Sequence, residues 1–197
     1  DVNCCHERPI WSQKTFSGRS KTTKFNIQGF TEPYVIVPPG LSEHSSLIHF
    51  DWICADIRIA ALLSQDERLL QAFDDVDPYV VMMNELNNGS EIKITRDESK
   101  LYLLKSINSM DFTGVALSEV YPHLGRWIRQ CKESSAEGGY LETILKRRFR
   151  RAHAKNELAV LNGVMQGSVA HAMQLVIRRI WERLPGRLIA EIHDSLI

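Results

Sequence analysis

The chain has little that would staple or anchor it. Its four cysteines, Cys4, Cys5, Cys54 and Cys131, form no C-x-x-C pair and no regular framework. That disfavours a zinc site and a secreted disulfide scaffold, and suits reduced thiols in the cytoplasm. No apolar run approaches the ~18 residues that suggest a membrane span, and no basic-then-apolar leader is present, so a soluble intracellular protein with no membrane partner is expected. Net charge is lacking too, because 24 basic side chains balance 24 acidic ones. The simplest electrostatic case for nucleic-acid binding is thereby removed, and any basic surface must be a local patch. At 197 residues, 44% of them hydrophobic, the chain can bury on the order of 70% of its unfolded surface and needs no metal or disulfide to hold a core.

Residues 1–30 are polar, and Ser17-Gly18-Arg19-Ser20-Lys21-Thr22-Thr23 reads as loop. Pro38-Pro39-Gly40 closes a short apolar segment, after which Leu47 to Ile53 reads as a buried strand carrying Asp51. Helical spacing runs from Ala55 to Phe73, with Ser64 and Glu67 as a capping box that starts a second helix. Asn87-Asn88-Gly89-Ser90 marks a turn, a further helix is expected over Ser99 to Ser109, and Glu137-Gly138-Gly139 marks a loop. The run Lys146 to Arg151 is the densest basic stretch, either a solvated helix face or a DNA contact. From Gln166 to Leu184 apolar residues keep one helix face, and Pro185-Gly186 ends it. Leu188 to Ile192 then reads as a strand leading into His193-Asp194, with Leu196-Ile197 as the start of its return partner.

Asp51 and Asp194 each end an apolar strand, where a carboxylate is costly unless hydrogen-bonded or bound to a cation. On neighbouring strands they suit divalent metals, since Mg²⁺ takes one or two protein carboxylates plus phosphate oxygens, and two ions can stabilise both oxygens of a phosphoryl displacement. Strand-terminal aspartate is equally an ordinary turn or cap residue, so the pair alone does not decide.

The neighbouring residues do more. Asp51-Trp52-Ile53-Cys54-Ala55-Asp56-Ile57-Arg58, continuing through Glu67, resembles motif A of family A (DNA polymerase I-like) DNA polymerases, DYSQIELRxxAxLSxDE. Thr15 to Arg19 and Asn26-Ile27-Gln28 resemble the family's TxTGR and NLQ elements. Lys105-Ser106-Ile107-Asn108 followed by Gly114 resembles motif B, Asn162 to Ala170 is similar to NxPxQGTAAD, and Glu191 to Ser195 resembles motif C, VHDE. The elements fall in the family's order and span residues 15–197.

The resemblance implies an α+β fold: an antiparallel-sheet polymerase palm with an inserted, mainly helical fingers subdomain. The palm's first part would be residues 1–65, with motif A at 51–67. The fingers would be 66–165, with motif B at 105–114, and the palm's second part 166–197, with motif C at 193–195, apparently truncated. The implied activity is template-directed transfer of deoxynucleotides to a primer 3′ hydroxyl by two-metal-ion catalysis, in the service of DNA replication or repair. Its partners would be primer-template DNA and deoxynucleoside triphosphates. Asp51 and Asp194, with the Trp52 carbonyl, would bind two Mg²⁺ ions. Lys105 would neutralise triphosphate charge. Lys105, Asp56, Ser109 and Thr113 would form the nucleotide pocket. Arg19, Asn26, Gln28, Gln166 and His193 would touch DNA, mainly at minor-groove and sugar positions, where nearly degenerate acceptors report duplex shape without sequence.

Several positions depart from the family pattern. Asp56 stands where the family has Glu, Ser109 and Thr113 where it has aromatics, Leu101 where it has a nucleotide-binding Arg, and Ser195 where motif C has Glu. A degenerate, non-catalytic DNA-binding palm is therefore the competing expectation. An HD-type phosphohydrolase would need a further metal-binding His and a later Asp, and only Ser195-Leu196-Ile197 follow the pair. With no residues before Asp1 for a thumb or exonuclease, the chain is expected to be a fragment or reduced relative with trimmed fingers, and a poor or inactive polymerase on its own.

Overall fold

A computed structural model describes residues 11–12, 15–22, 46–75, 77–89, 91, 93–109, 115–192 and 194–197. By internal contacts the chain divides into two compact units, residues 1–53 with 169–197, and residues 54–168.

In the first unit, strands β1 (Trp11–Ser12) and β2 (Lys21–Thr22) pair antiparallel. Strand β3 (Phe50–Asp51) pairs antiparallel with β7 (Ser195–Leu196), which pairs in turn with β6 (Glu191–Ile192), giving the order β3-β7-β6. The strand expected over Leu47 to Ile53 is thus confined to two residues. It is not buried either, since Phe50 is 58% and Ile48 61% exposed. Among the described residues strand β3 has a hydrogen-bonded neighbour on one side only, β7. Past β6 and β7 the pairing continues without strand geometry, as Ile197 N–H donates to the Ala190 carbonyl at 3.0 Å and Ile189 N–H to the Ile197 carbonyl at 2.7 Å. The expected return partner of Leu188 to Ile192 is therefore present, and Leu196 and Ala190 are buried.

The second unit is mainly helical. Helix α1 (Ala55–Ser64) starts at Cys54, whose φ of 57° is left-handed, and Gln65 at its other end has φ 53°. The Cys54 thiol and the buried Tyr79 hydroxyl share a hydrogen bond, and burial above all holds the Tyr79 pKa far above that of a free phenol. Helix α2 (Glu67–Asp75) begins two residues later than the expected capping box would start it, with another cap. Ser64 Oγ turns back to the Ala61 carbonyl at 3.2 Å, and Asp66 Oδ1 accepts from Leu69 N–H at 3.0 Å. Asp66 is 1% exposed, and its Oδ2 also accepts from His123 and Leu124 N–H at 2.9 and 3.0 Å, so one carboxylate caps α2 and α6 (Pro122–Ala136) together.

Helix α3 (Pro78–Asn87) is capped by Asp77, which accepts from Tyr79 N–H at 2.8 Å, with Pro78 at the first helical position. Helix α4 (Arg96–Ser109) starts three residues before the expected Ser99, because Thr95 and Glu98 form the capping box. Helix α5 (Val115–Val120) leads into α6. Strands β4 (Tyr140–Glu142) and β5 (Arg148–Arg150) make an antiparallel hairpin, followed by a 3-10 turn at Arg151–His153. The basic run therefore lies on a hairpin, not on a helix face. Helix α7 (Glu157–Arg183) starts nine residues before the expected Gln166 and ends just before Pro185, as expected. The core of this unit joins Ile57, Leu69, Met82, Leu103, Tyr121, Ile128, Phe149 and Leu161, contributed by α1–α4, α6, the hairpin and α7. Cys131 belongs to it, and burial pushes its thiol up to about 12.

Candidate active site

The first unit brings the two aspartates to one end of its sheet. Asp51 pairs across β3–β7 with Ser195, the residue after Asp194, and the next backbone link, Trp52 N–H to the Asp194 carbonyl at 3.3 Å, continues the ladder. Asp194 occupies the tight connection between β6 and β7, which Ser195 Oγ closes by donating to the Ile192 carbonyl at 2.8 Å. The end of β3 thus meets a hairpin turn. Asp51 is exposed and Asp194 half-buried, so at least one carboxylate keeps open access to solvent and ligands.

Among the described residues no group of three or more His, Cys, Asp or Glu side chains converges as a metal cage. Two carboxylates on a solvent-open sheet end are the donor set of a cation that takes its remaining oxygens from water and phosphate, which is the habit of Mg²⁺. The chemistry of these residues fits such an ion.

Arg19 belongs to the same unit, in a loop tied by its own hydrogen bonds. Thr15 Oγ1 donates to the Arg19 carbonyl at 2.7 Å, Gly18 N–H donates to the Thr15 carbonyl at 3.1 Å, and Gly18 has φ 85°. A glycine tolerates that left-handed backbone at little cost, which explains the Ser-Gly-Arg order. One titratable group in this unit escaped the sequence reading. Glu191 lines an open groove of about 570 Å³ with Ser12, Ser20, Gln174, Ile177, Arg178 and Trp181. Burial raises its pKa above the usual carboxylate range, opposed by a hydrogen bond with Ser20. A glutamate inside the apolar stretch Leu188 to Ile192 was the available signal.

The remaining expected site residues belong to the second unit. Asp56 lies in the first turn of α1, half-buried. Lys105 is exposed on α4, as is Leu101 one turn earlier, and Ser109 is that helix's last residue. Gln166 is half-buried within α7 rather than at a helix start. Asn26, Gln28, Thr113 and His193 lie outside the described residues. Thus Asp51, Trp52, Asp194 and Arg19 share one unit, and Asp56, Lys105, Ser109 and Gln166 the other.

No family model matches the sequence. Among curated proteins, DNA polymerase I of Caldicellulosiruptor bescii is 22% identical, over 93% of this chain and 26% of that protein. DNA polymerase I of Bacillus caldotenax is 24% identical, over 93% of this chain and 25% of that protein. The thermostable DNA polymerase I of Thermus aquaticus is 21% identical, over 77% and 22%. The chain spans about a quarter of the length of these relatives. Among solved structures it is similar to the POL domain of Pol1 from M. smegmatis in complex with DNA primer-template and dNTP. The TM-score is 0.78 and the identity 21%, over 95% of this chain and 40% of that one.

Proposed function

We propose that the chain is the palm and fingers portion of a template-directed DNA polymerase that adds deoxynucleotides to a primer 3′ hydroxyl. Its α+β fold is that of a family A polymerase domain, and the similarity to that region of DNA polymerase I extends over most of the chain. The observation that carries the catalytic reading is the Trp52–Asp194 backbone link, which sets Asp51 and Asp194 on adjoining strands at one sheet end. We assign the palm to residues 1–65 and 166–197 and the fingers to 66–165. Two compact units, the first made of both chain ends, support a palm that the fingers interrupt.

In this reading Asp51, Asp194 and the Trp52 carbonyl hold two Mg²⁺ ions. When bound, these ions supply Lewis-acid stabilisation of the attacking and leaving oxygens. The chain itself binds and orients. Lys105 neutralises triphosphate charge as a mobile point cation, an electrostatic contribution that grows as charge develops. Arg19, Asn26, Gln28, Gln166 and His193 hold the duplex through its minor groove and sugars, which leaves sequence unread. Asp56, Ser109 and Thr113 shape the nucleotide pocket. Among the described residues no helix is long and apolar enough to cross a membrane.

Ser195 favours a second reading. Its hydroxyl is committed to the Ile192 carbonyl and it is 7% exposed, so motif C offers one carboxylate where the family has two. A palm that binds DNA without copying it would tolerate that loss. Primer extension with Mg²⁺, run beside duplex binding, separates the two readings: binding without extension identifies the non-catalytic module.

A further inference from the structure

The basic run behaves as two populations of charge on the β4–β5 hairpin. Lys146 and Arg148 pair with Glu142 at 3.5 and 3.0 Å, and Arg151 pairs with Glu157 at 3.0 Å. Arg150 is exposed, with no ion pair among the described residues, whereas Arg147 lies over the inward-facing Phe149 ring at 4.8 Å. Strand alternation turns Phe149 inward, 3% exposed, and Arg148 and Arg150 outward. Tyr140 is the cross-strand partner of Arg150 and shares this outer face. Its ring is 42% exposed, with the Arg148 guanidinium 4.3 Å from its centroid. Charged side chains often do no more than protect the edges of a small sheet. That explanation does not account for an exposed aromatic ring set among cations that outnumber the one carboxylate beside them.

Cations that track phosphates, combined with an aromatic ring that offers a π-face to any base, are the parts of a single-strand contact. We propose that the outer face of this hairpin binds single-stranded nucleic acid, with Arg150 on a phosphate and a base stacked on the Tyr140–Arg148 pair. The proposal rests on the polymerase reading for its biological sense, because a copied template is single-stranded ahead of the primer. Its physical content does not depend on catalysis.

The test is fluorescence anisotropy of a labelled oligo-dT strand of about 16 nucleotides, titrated with the 197-residue chain over a range of salt and without primer or Mg²⁺. Tyr140→Leu should weaken binding by roughly ten-fold, leaving the salt slope unchanged, and Tyr140→Phe should restore it. Arg150→Gln should lower the salt slope by about 0.7, one phosphate contact. Thermal melting checks that each variant is folded. The proposal is overturned if the wild type fails to bind the strand or if Tyr140→Leu binds as tightly as Tyr140→Phe. It is also overturned if Tyr140→Leu weakens a duplex as much as a single strand. Failure of primer extension with these binding effects intact would instead remove the polymerase reading and leave this one standing.

Discussion

Trp52 N–H donates to the carbonyl oxygen of Asp194 at 3.3 Å, and this single backbone bond carries the ladder between β3 and β7 past the end of both strands. It fixes where the chain of Asp51 runs relative to the hairpin turn that holds Asp194. Both residues lie in a sheet with short strands, so their relative position rests on few hydrogen bonds. A proline at Trp52 would remove the donor.

Asp66 should matter to stability more than any exposed charge. It is buried and accepts three backbone N–H groups from the starts of two helices. Asp66→Ala leaves those donors unmatched and should cost about 2 to 4 kcal/mol. Asp66→Asn keeps one acceptor oxygen and should cost less. Urea denaturation of both variants checks this order; equal, negligible losses would show that the two caps contribute little.

Glu191 gives a pH dependence of definite sign. Its folded pKa is raised by burial, so between the ordinary value near 4.5 and the raised one the folded state binds more protons than the unfolded state. Stability therefore falls as pH rises through that window and stays lower above it. Glu191→Gln should raise Tm at about pH 7, and the gain should shrink toward about pH 4, where the wild-type carboxyl is protonated in both states. A gain of equal size at both values would contradict the burial argument.

Sugar selection should be relaxed. Asp56 is one methylene shorter than the glutamate of the motif it resembles, and Thr113 is smaller than the aromatic residue expected beside it. A receding wall weakens discrimination by about 1 to 3 kcal/mol. Asp56→Glu with Thr113→Tyr should raise the deoxy-to-ribo ratio of kcat/KM, while either change alone should do little if the two introduced side chains act only together. An unchanged ratio in the double variant would show that other residues close the pocket.

Local signals carried much of this fold. The break between α1 and α2, the turn after Asn87 and the stop at Pro185 are written in neighbouring residues. So was the capping box at Thr95 and Glu98, although it went unread and α4 was expected to begin too late. Asp77-Pro78 and Pro122 likewise announce α3 and α6 by helix-start chemistry, yet neither helix was anticipated. Other features depend on partners far along the chain. Ser64 looked like the cap of α2, but Asp66 has that role, and it reaches its second helix through His123 N–H, 57 residues later. Leu47 to Ile53 looked like a buried strand because its residues are apolar; only the structure reveals that Ile48, Phe50 and Ile53 are exposed. The basic run could not be placed on a hairpin from its charge pattern, which fits a helix face as well. Of the candidate site, the ordered motifs made Asp51 and Asp194 legible as a pair, whereas the Trp52–Asp194 backbone link became visible only in the structure.

The most direct test of the two-aspartate site is single-nucleotide primer extension with Mg²⁺, comparing the wild type with Asp51→Asn and Asp194→Asn, beside duplex binding and thermal melting of the same proteins. If the two carboxylates share the metal ions, each substitution abolishes incorporation by the active wild type while duplex affinity and folding persist, and the double variant is no worse than either single one. Incorporation at the wild-type rate by either single variant would contradict the assignment.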